Sequence, residues 1–163
     1  MEFHICNIKT DWSQFWPGMI STFVGFGLAL LGQFLWGRVN DYFTAKNLLN
    51  RIENELLEIE SVLEIVRKDS IEIQPLKTLV WDEAINTGLI SLLKDSKREL
   101  LFKIYKQIQE FNSWFAVKTN YYFDNGEHNT MLNNEIENQQ NILLGKNKEA
   151  GKISIGDVVK GLK

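Results

Sequence analysis

The sequence predicts an all-α protein: a single N-terminal transmembrane helix that continues into a long stalk helix, followed by a small cytoplasmic helical bundle. Three observations carry this. Phe15–Trp36, FWPGMISTFVGFGLALLGQFLW, contains no charged residue, and at helical rise its length is roughly 33 Å, enough to cross the hydrocarbon of a bilayer. From Arg38 to Lys68 there is neither proline nor glycine, and apolar residues recur in steps of three and four. Elsewhere the apolar spacing is also helical, and the chain has only two prolines, Pro17 and Pro75.

Composition narrows the classes. Eighteen Lys and Arg stand against 21 Asp and Glu, so no basic face is set apart for nucleic acid, which is not expected as a partner. The single cysteine, Cys6, cannot form an internal disulfide, and the fold does not depend on an oxidised scaffold. Behind the span remain about 125 residues, enough for one small domain.

The span reads as an anchor and not as a cleavable signal. Residues 1–14 form a short extracytoplasmic N-terminus whose only cation is Lys9, the apolar run is long, and its exit through Trp36-Gly37-Arg38 offers no small-residue cleavage site. Arg38, Lys46 and Arg51 follow the span, which predicts a cytoplasmic C-terminal domain in the inner (plasma) membrane by the positive-inside rule. Trp12, Phe15 and Trp16 at one end, and Trp36, Tyr42 and Phe43 at the other, suit interfacial aromatic belts. Within the span, Gly18, Thr22, Gly25, Ala29 and Gly32 fall on one stripe in steps of four and three. Small residues let helices approach closely in lipid, and Gln33 beside the stripe seeks a hydrogen-bonding partner there. Self-association is the expectation; the alternative is an ordinary Gly-rich span whose Gln33 reaches toward the interface.

In the stalk, 38–68, the apolar line runs Tyr42, Ala45, Leu49, Ile52, Leu56, Ile59, Leu63 and Val66, a coiled-coil-grade seam. Leu48, Leu57, Val62 and Ile65 widen it, as in a bundle. Glu53, Glu55, Glu58, Glu60 and Glu64 are read as a solvated outer face. The helix is expected to fail at Asp69-Ser70, and 71–75 reads as a short extended connector ending at Pro75. A helix from Thr78, stopped by Gly88, carries Trp81 as the core anchor with Ala84, Ile85 and Leu89 beside it. Ser96-Lys97-Arg98-Glu99 has the form of a capping box. It opens a helix with Leu101, Ile104, Ile108, Phe111 and Phe115 on one face, ended by Asp124-Asn125-Gly126. A weaker helix from Asn129 or Thr130 to Leu144, with Leu132, Ile136 and Leu143 on one face, completes the bundle of 37–145. The basic tail 146–163 has five lysines; it either holds one short helix near Val158 or is disordered.

Trp81-Asp82-x-Ala84-x-x-x-Gly88-Leu89-Ile90-Ser91-Leu92-Leu93, followed by Ile104-Tyr105-x-x-Ile108-x-x-x-Asn112, resembles a pattern in short prokaryotic membrane proteins that pair one N-terminal span with a helical cytoplasmic domain. In layout alone the chain is also similar to the membrane accessory protein of RNA-targeting type VI CRISPR systems. That likeness implies a membrane helix joined to a nuclease-like bundle that assembles as a pore. Bundles of that kind use an Arg and a His four to six residues apart; here only His4 and His128 occur, and no Arg precedes His128 within that distance.

Chemistry is sparse. His4 and Cys6 are two donors, too few for a metal site. Asp124, Glu127 and His128 read as a helix stop with solvated charges sooner than as an acid–base cluster. No phosphate loop, Cys-x-x-Cys or Ser/His/Asp order occurs, and no cofactor is expected. Lys94, Lys97, Arg98, Lys103 and Lys106 make the start of the long helix basic; pairing with the acidic stalk is the favoured reading, ahead of anionic lipid and RNA. The expected function is therefore a non-enzymatic, self-associating membrane protein, and the second likeness implies a membrane-perturbing or pore-type role in stress or phage defence. Its expected partners are the lipid bilayer, further copies of itself and a cytoplasmic protein. The alternative is a monomeric or dimeric tethered adaptor; a membrane-bound ribonuclease ranks third.

Overall fold

A computed structural model of the chain describes residues 12–65, 75–126 and 129–163, with side chains of the first helix from Trp16 onward. The fold is all-α. Among the described residues there are five helices, α1 (Trp12–Ile65), α2 (Leu79–Asn86), α3 (Asp95–Asn125), α4 (Thr130–Leu143) and α5 (Ile155–Leu162), a 3₁₀ turn at Leu89–Leu92, and no strand. His4, Cys6, the stalk positions Val66–Lys68, Asp69-Ser70, the connector up to Gln74, and Glu127 and His128 lie outside the described residues.

α1 is unbroken and takes in both the apolar run and the heptad stretch. Pro17 lies in its second turn, where a missing N–H leaves only the carbonyl of residue 13 without its helical partner. The chain divides into two compact units, Met1–Tyr42 and Phe43–Lys163, a boundary beyond the end of the apolar run at Trp36.

In the second unit the buried line along α1 is Leu48, Ile52, Leu56, Ile59 and Leu63. Leu49, expected on the seam, is half-buried against the core. Leu48 and Leu49 flank the seam on opposite sides, and Leu48 shares its side with Glu55, seven residues on, the side to which α2 is tied. Leu57 and Ile65, expected to widen the seam, are exposed. α3 contributes Leu101, Ile104, Tyr105, Ile108, Phe111 and Phe115. Trp81 and Ala84 of α2 are buried, whereas Leu89 in the 3₁₀ turn sits half-buried at the rim.

Most helix ends are set locally. Gly88, Gly126 and Gly145 take positive φ just past α2, α3 and α4, the conformation glycine adopts without steric cost. Asn129 caps α4 by accepting from the Met131 and Leu132 amides at 3.0 and 3.2 Å. The start of α3 is not set this way. Its N-cap is Lys94, with no side-chain cap bond, and Ser96 lies inside the helix, so the expected capping box does not form. Leu93 and Lys94 are both extended, the helix begins at Asp95, and Glu99 pairs instead with Lys103 at 2.8 Å. At α5 a serine does cap the helix: Ser154 Oγ accepts from the Asp157 amide at 3.2 Å and donates to the Asp157 carboxylate at 2.8 Å.

Of the two readings of the tail from Lys146, the short helix near Val158 is the one found, as α5, and it packs on the bundle. Ile155, Val158, Val159 and Leu162 are all buried in the core. Their i, i+3, i+4, i+7 spacing makes one apolar stripe, and burying each such side chain contributes about 1.5–3 kcal/mol. The lysines occupy the other faces. Two amides on α3 hold the chain on either side: Gln107 pairs with both backbone groups of Ile153 at 2.8 and 3.0 Å, and Asn112 does the same to Leu76 at 3.0 and 2.8 Å.

Candidate functional site

Two regions stand out, one in each unit. In the first, Gly18, Thr22, Gly25, Ala29, Gly32 and Gln33 are all exposed. A Cβ built at Gly18, Gly25 or Gly32 meets no atom within 4 Å. The large residues around them, among them Ile20, Phe23, Phe26, Leu31, Phe34 and Trp36, are exposed too, Trp36 by 74%. One helix of the described chain is thus long and apolar enough to cross a membrane. Its hydroxyls are tied to the backbone: Ser21 and Thr22 both donate to the Gly18 carbonyl at 2.9 Å, which removes their cost in an apolar medium. Just past the run, the Arg38 guanidinium lies 4.9 Å from the centre of the Phe34 ring, a cation–π contact at the edge of the apolar stretch.

In the second unit the central feature is Glu55, expected on the solvated outer face of the stalk. It is buried. Oε2 accepts from the Val80 amide at 2.6 Å, and Oε1 accepts from the Trp81 amide at 3.4 Å and the Tyr105 hydroxyl at 2.6 Å. Thr78, the N-cap of α2, makes no side-chain cap bond. A carboxylate from α1 therefore takes over the capping of α2, at the end where free amides and the helix dipole favour negative charge. The Tyr105 ring stacks on Trp81 with centroids 4.4 Å apart, and Phe102 meets Trp81 edge-on at 5.0 Å. Burial, and after it the bond to Glu55 and that carboxylate's charge, push the Tyr105 hydroxyl far above its ordinary range, which keeps it a neutral donor. Glu55 stands three residues after Ile52 and four before Ile59, on the apolar stripe itself, and that placement was the available signal.

One turn back, Arg51 donates to Glu83 through both terminal guanidinium nitrogens. The guanidinium holds the Glu83 carboxyl below its usual range, by hydrogen bonding first and charge second. The basic start of α3 does not pair with the stalk glutamates as favoured above. Arg98 pairs with Asp95, Lys103 with Glu99, and Lys97 donates to the Leu162 carbonyl at the end of α5. Of the stalk glutamates, Glu53 pairs with Lys163 at 3.3 Å. Local partners cost less side-chain entropy than reaching across to another helix.

Beside Glu55 a cleft of about 560 Å³ opens between α1 and the chain entering α2, lined by Arg51, Glu58, Val62, Leu76 and Val80 among others. Among the described residues no three His, Cys, Asp or Glu side chains come together as a metal site. Asp124 is exposed at the end of α3. Comparison with protein-family models, curated proteins and solved structures gives no match for this chain.

Proposed function

We propose that the protein is a single-pass, self-associating, non-enzymatic membrane protein. In this reading α1 is anchored in the inner (plasma) membrane with the N-terminus outside, and the helical bundle lies in the cytoplasm. The observation that carries the reading is the exposure of the apolar run between Trp16 and Trp36 at every position but Met19 and Gly27, which are half-buried. A continuous apolar surface of that kind is not tolerated in water and marks a membrane or a partner. The excess of Arg38, Lys46 and Arg51 behind the run supports the orientation. The open Gly18, Gly25 and Gly32 positions support close approach of a second copy. Perturbation of the membrane in a defence or stress response is the role that the layout shared with the type VI accessory proteins implies.

The test is mass measurement of the full chain in mild detergent. Oligomers that dissociate when Gly25 and Gly32 are both replaced by Leu are the expected result; a monomer indifferent to the substitutions overturns self-association. A tethered adaptor for a cytoplasmic protein is the second reading. It draws support from Trp114, Val117, Tyr121, Phe123 and Met131, which stay exposed at the far end of α3 and the start of α4. Dye leakage from vesicles carrying the protein separates the two, because an adaptor leaves them tight.

A further inference from the structure

The second unit has two ends, and the hydrogen bonds define them. Tyr105 of α3 bonds Glu55 of α1, and Asn112, further along α3, bonds Leu76, which lines the same cleft as Val62 further along α1, so α3 runs in the direction of α1. α2 runs the opposite way, since Glu55 meets Val80 and Arg51, one turn earlier, meets Glu83. α5 runs against α3, from Ile153 at Gln107 to Leu162 at Lys97. The end at which α1 enters the unit, at Phe43, is therefore also where the 3₁₀ turn lies, where α3 starts and where α5 finishes.

That end combines cations with apolar surface. Lys46 and Lys94 are exposed, and Arg98 is half-buried. Asp95 is bonded to Arg98 and Glu53 to Lys163, whereas among the described residues no acid pairs with Lys46 or Lys94, so these two charges are left for an outside anion. Phe43 and Ile85 are exposed, and Leu89, Ile90 and Leu92 of the 3₁₀ turn are half-buried. Phe43 follows Trp36, the last residue of the apolar run, by only seven residues of sequence. Lysines on an apolar footing beside a membrane anchor are the chemistry that recognises anionic headgroups.

We propose that this end of the bundle, built on Lys46, Lys94 and the 3₁₀ turn Leu89–Leu92, docks on the anionic surface of the bilayer that holds the span. The inference rests on the membrane reading above. The test is backbone hydrogen exchange of the full chain in nanodiscs of phosphatidylcholine alone and of phosphatidylcholine with phosphatidylglycerol. Amides of the 3₁₀ turn and the first turn of α3 exchange more slowly in the anionic discs, and raised salt removes the difference. The double variant Lys46→Glu, Lys94→Glu loses the protection, and Lys106→Glu, an exposed charge further along α3, keeps it. Unchanged exchange at Ile104–Phe111 establishes that the double variant is folded. Equal exchange in the two lipids, or a difference that survives charge reversal, overturns the docking while leaving the anchor standing. A chain that fails to enter discs of either composition overturns the membrane reading and the docking together.

Discussion

The two halves of α1 obey opposite rules although they belong to one helix. Between Trp16 and Trp36 the large apolar residues point outward on every side and a Cβ added to the glycines meets nothing. Between Leu48 and Leu63 one stripe is buried to the point of having almost no accessible surface, and a carboxylate within that stripe is fully partnered. The first half has the pattern of a helix solvated by lipid, where side-chain size sets how near a second helix comes. The second has the pattern of a helix solvated by its own protein, where each side chain has a shaped place. Burial, and not local helix propensity, separates the halves.

The sharpest way to break the contrast is one substitution made in both. Leu56→Ala should lower the stability of the bundle by about 2–5 kcal/mol, the cost of a core cavity. Leu31→Ala should change it by less than about 0.5 kcal/mol. Urea unfolding of the detergent-held chain, followed by near-ultraviolet circular dichroism, measures both. Comparable losses would mean that the span is packed against protein.

Tyr105→Phe comes next in size. It removes one of three donors to a buried carboxylate, with an expected loss of about 1–3 kcal/mol in the same experiment. Hydrogen exchange should localise the loosening to α2, which Glu55 caps from outside; a uniform change across the bundle would deny Glu55 that role.

Glycine gives a third contrast. Gly145→Ala should cost about 1–2 kcal/mol for the left-handed backbone. A further cost follows because its Cβ falls 3.2 Å from that of Ser154. Gly25→Ala should leave the bundle unchanged, since the space around Gly25 is open.

The smallest effect belongs to Arg51 and Glu83. The folded carboxyl titrates below its ordinary value, so the pair contributes fully above the usual carboxylate range and is lost as pH falls through the folded value. Arg51→Met should return Glu83 to its ordinary titration by carboxyl NMR, with little change in stability for so exposed a pair.

Much of the fold is legible in the sequence, because the features that specify it are local or periodic. The uncharged run at 15–36, the three-and-four spacing after Tyr42, and the glycines at 88, 126 and 145 each act within a few residues of where they stand. The Ser96–Glu99 pair misleads for the opposite reason. A box needs Ser in an extended backbone, and the approach from the 3₁₀ turn makes Lys94 the last extended residue. The stripe of Ile155, Val158, Val159 and Leu162 was present in the sequence but short, and its lysine-rich surroundings hid that α3 offers it a core. Glu55 was hidden by type, because a carboxylate is expected outside until an orphaned helix end is found to receive it.

By itself the sequence determined the helical class, the extent of the apolar run, the stripe of small residues and most of the helix ends. Periodicity and backbone preference do not need a partner to act. Only the tertiary structure decided that Leu48 is buried ahead of Leu49, that α5 closes the core, and that a buried glutamate caps a helix after a separation of 25 residues. Each depends on what lies across a gap in space, and the free energy of burying a group depends on the partners it finds there.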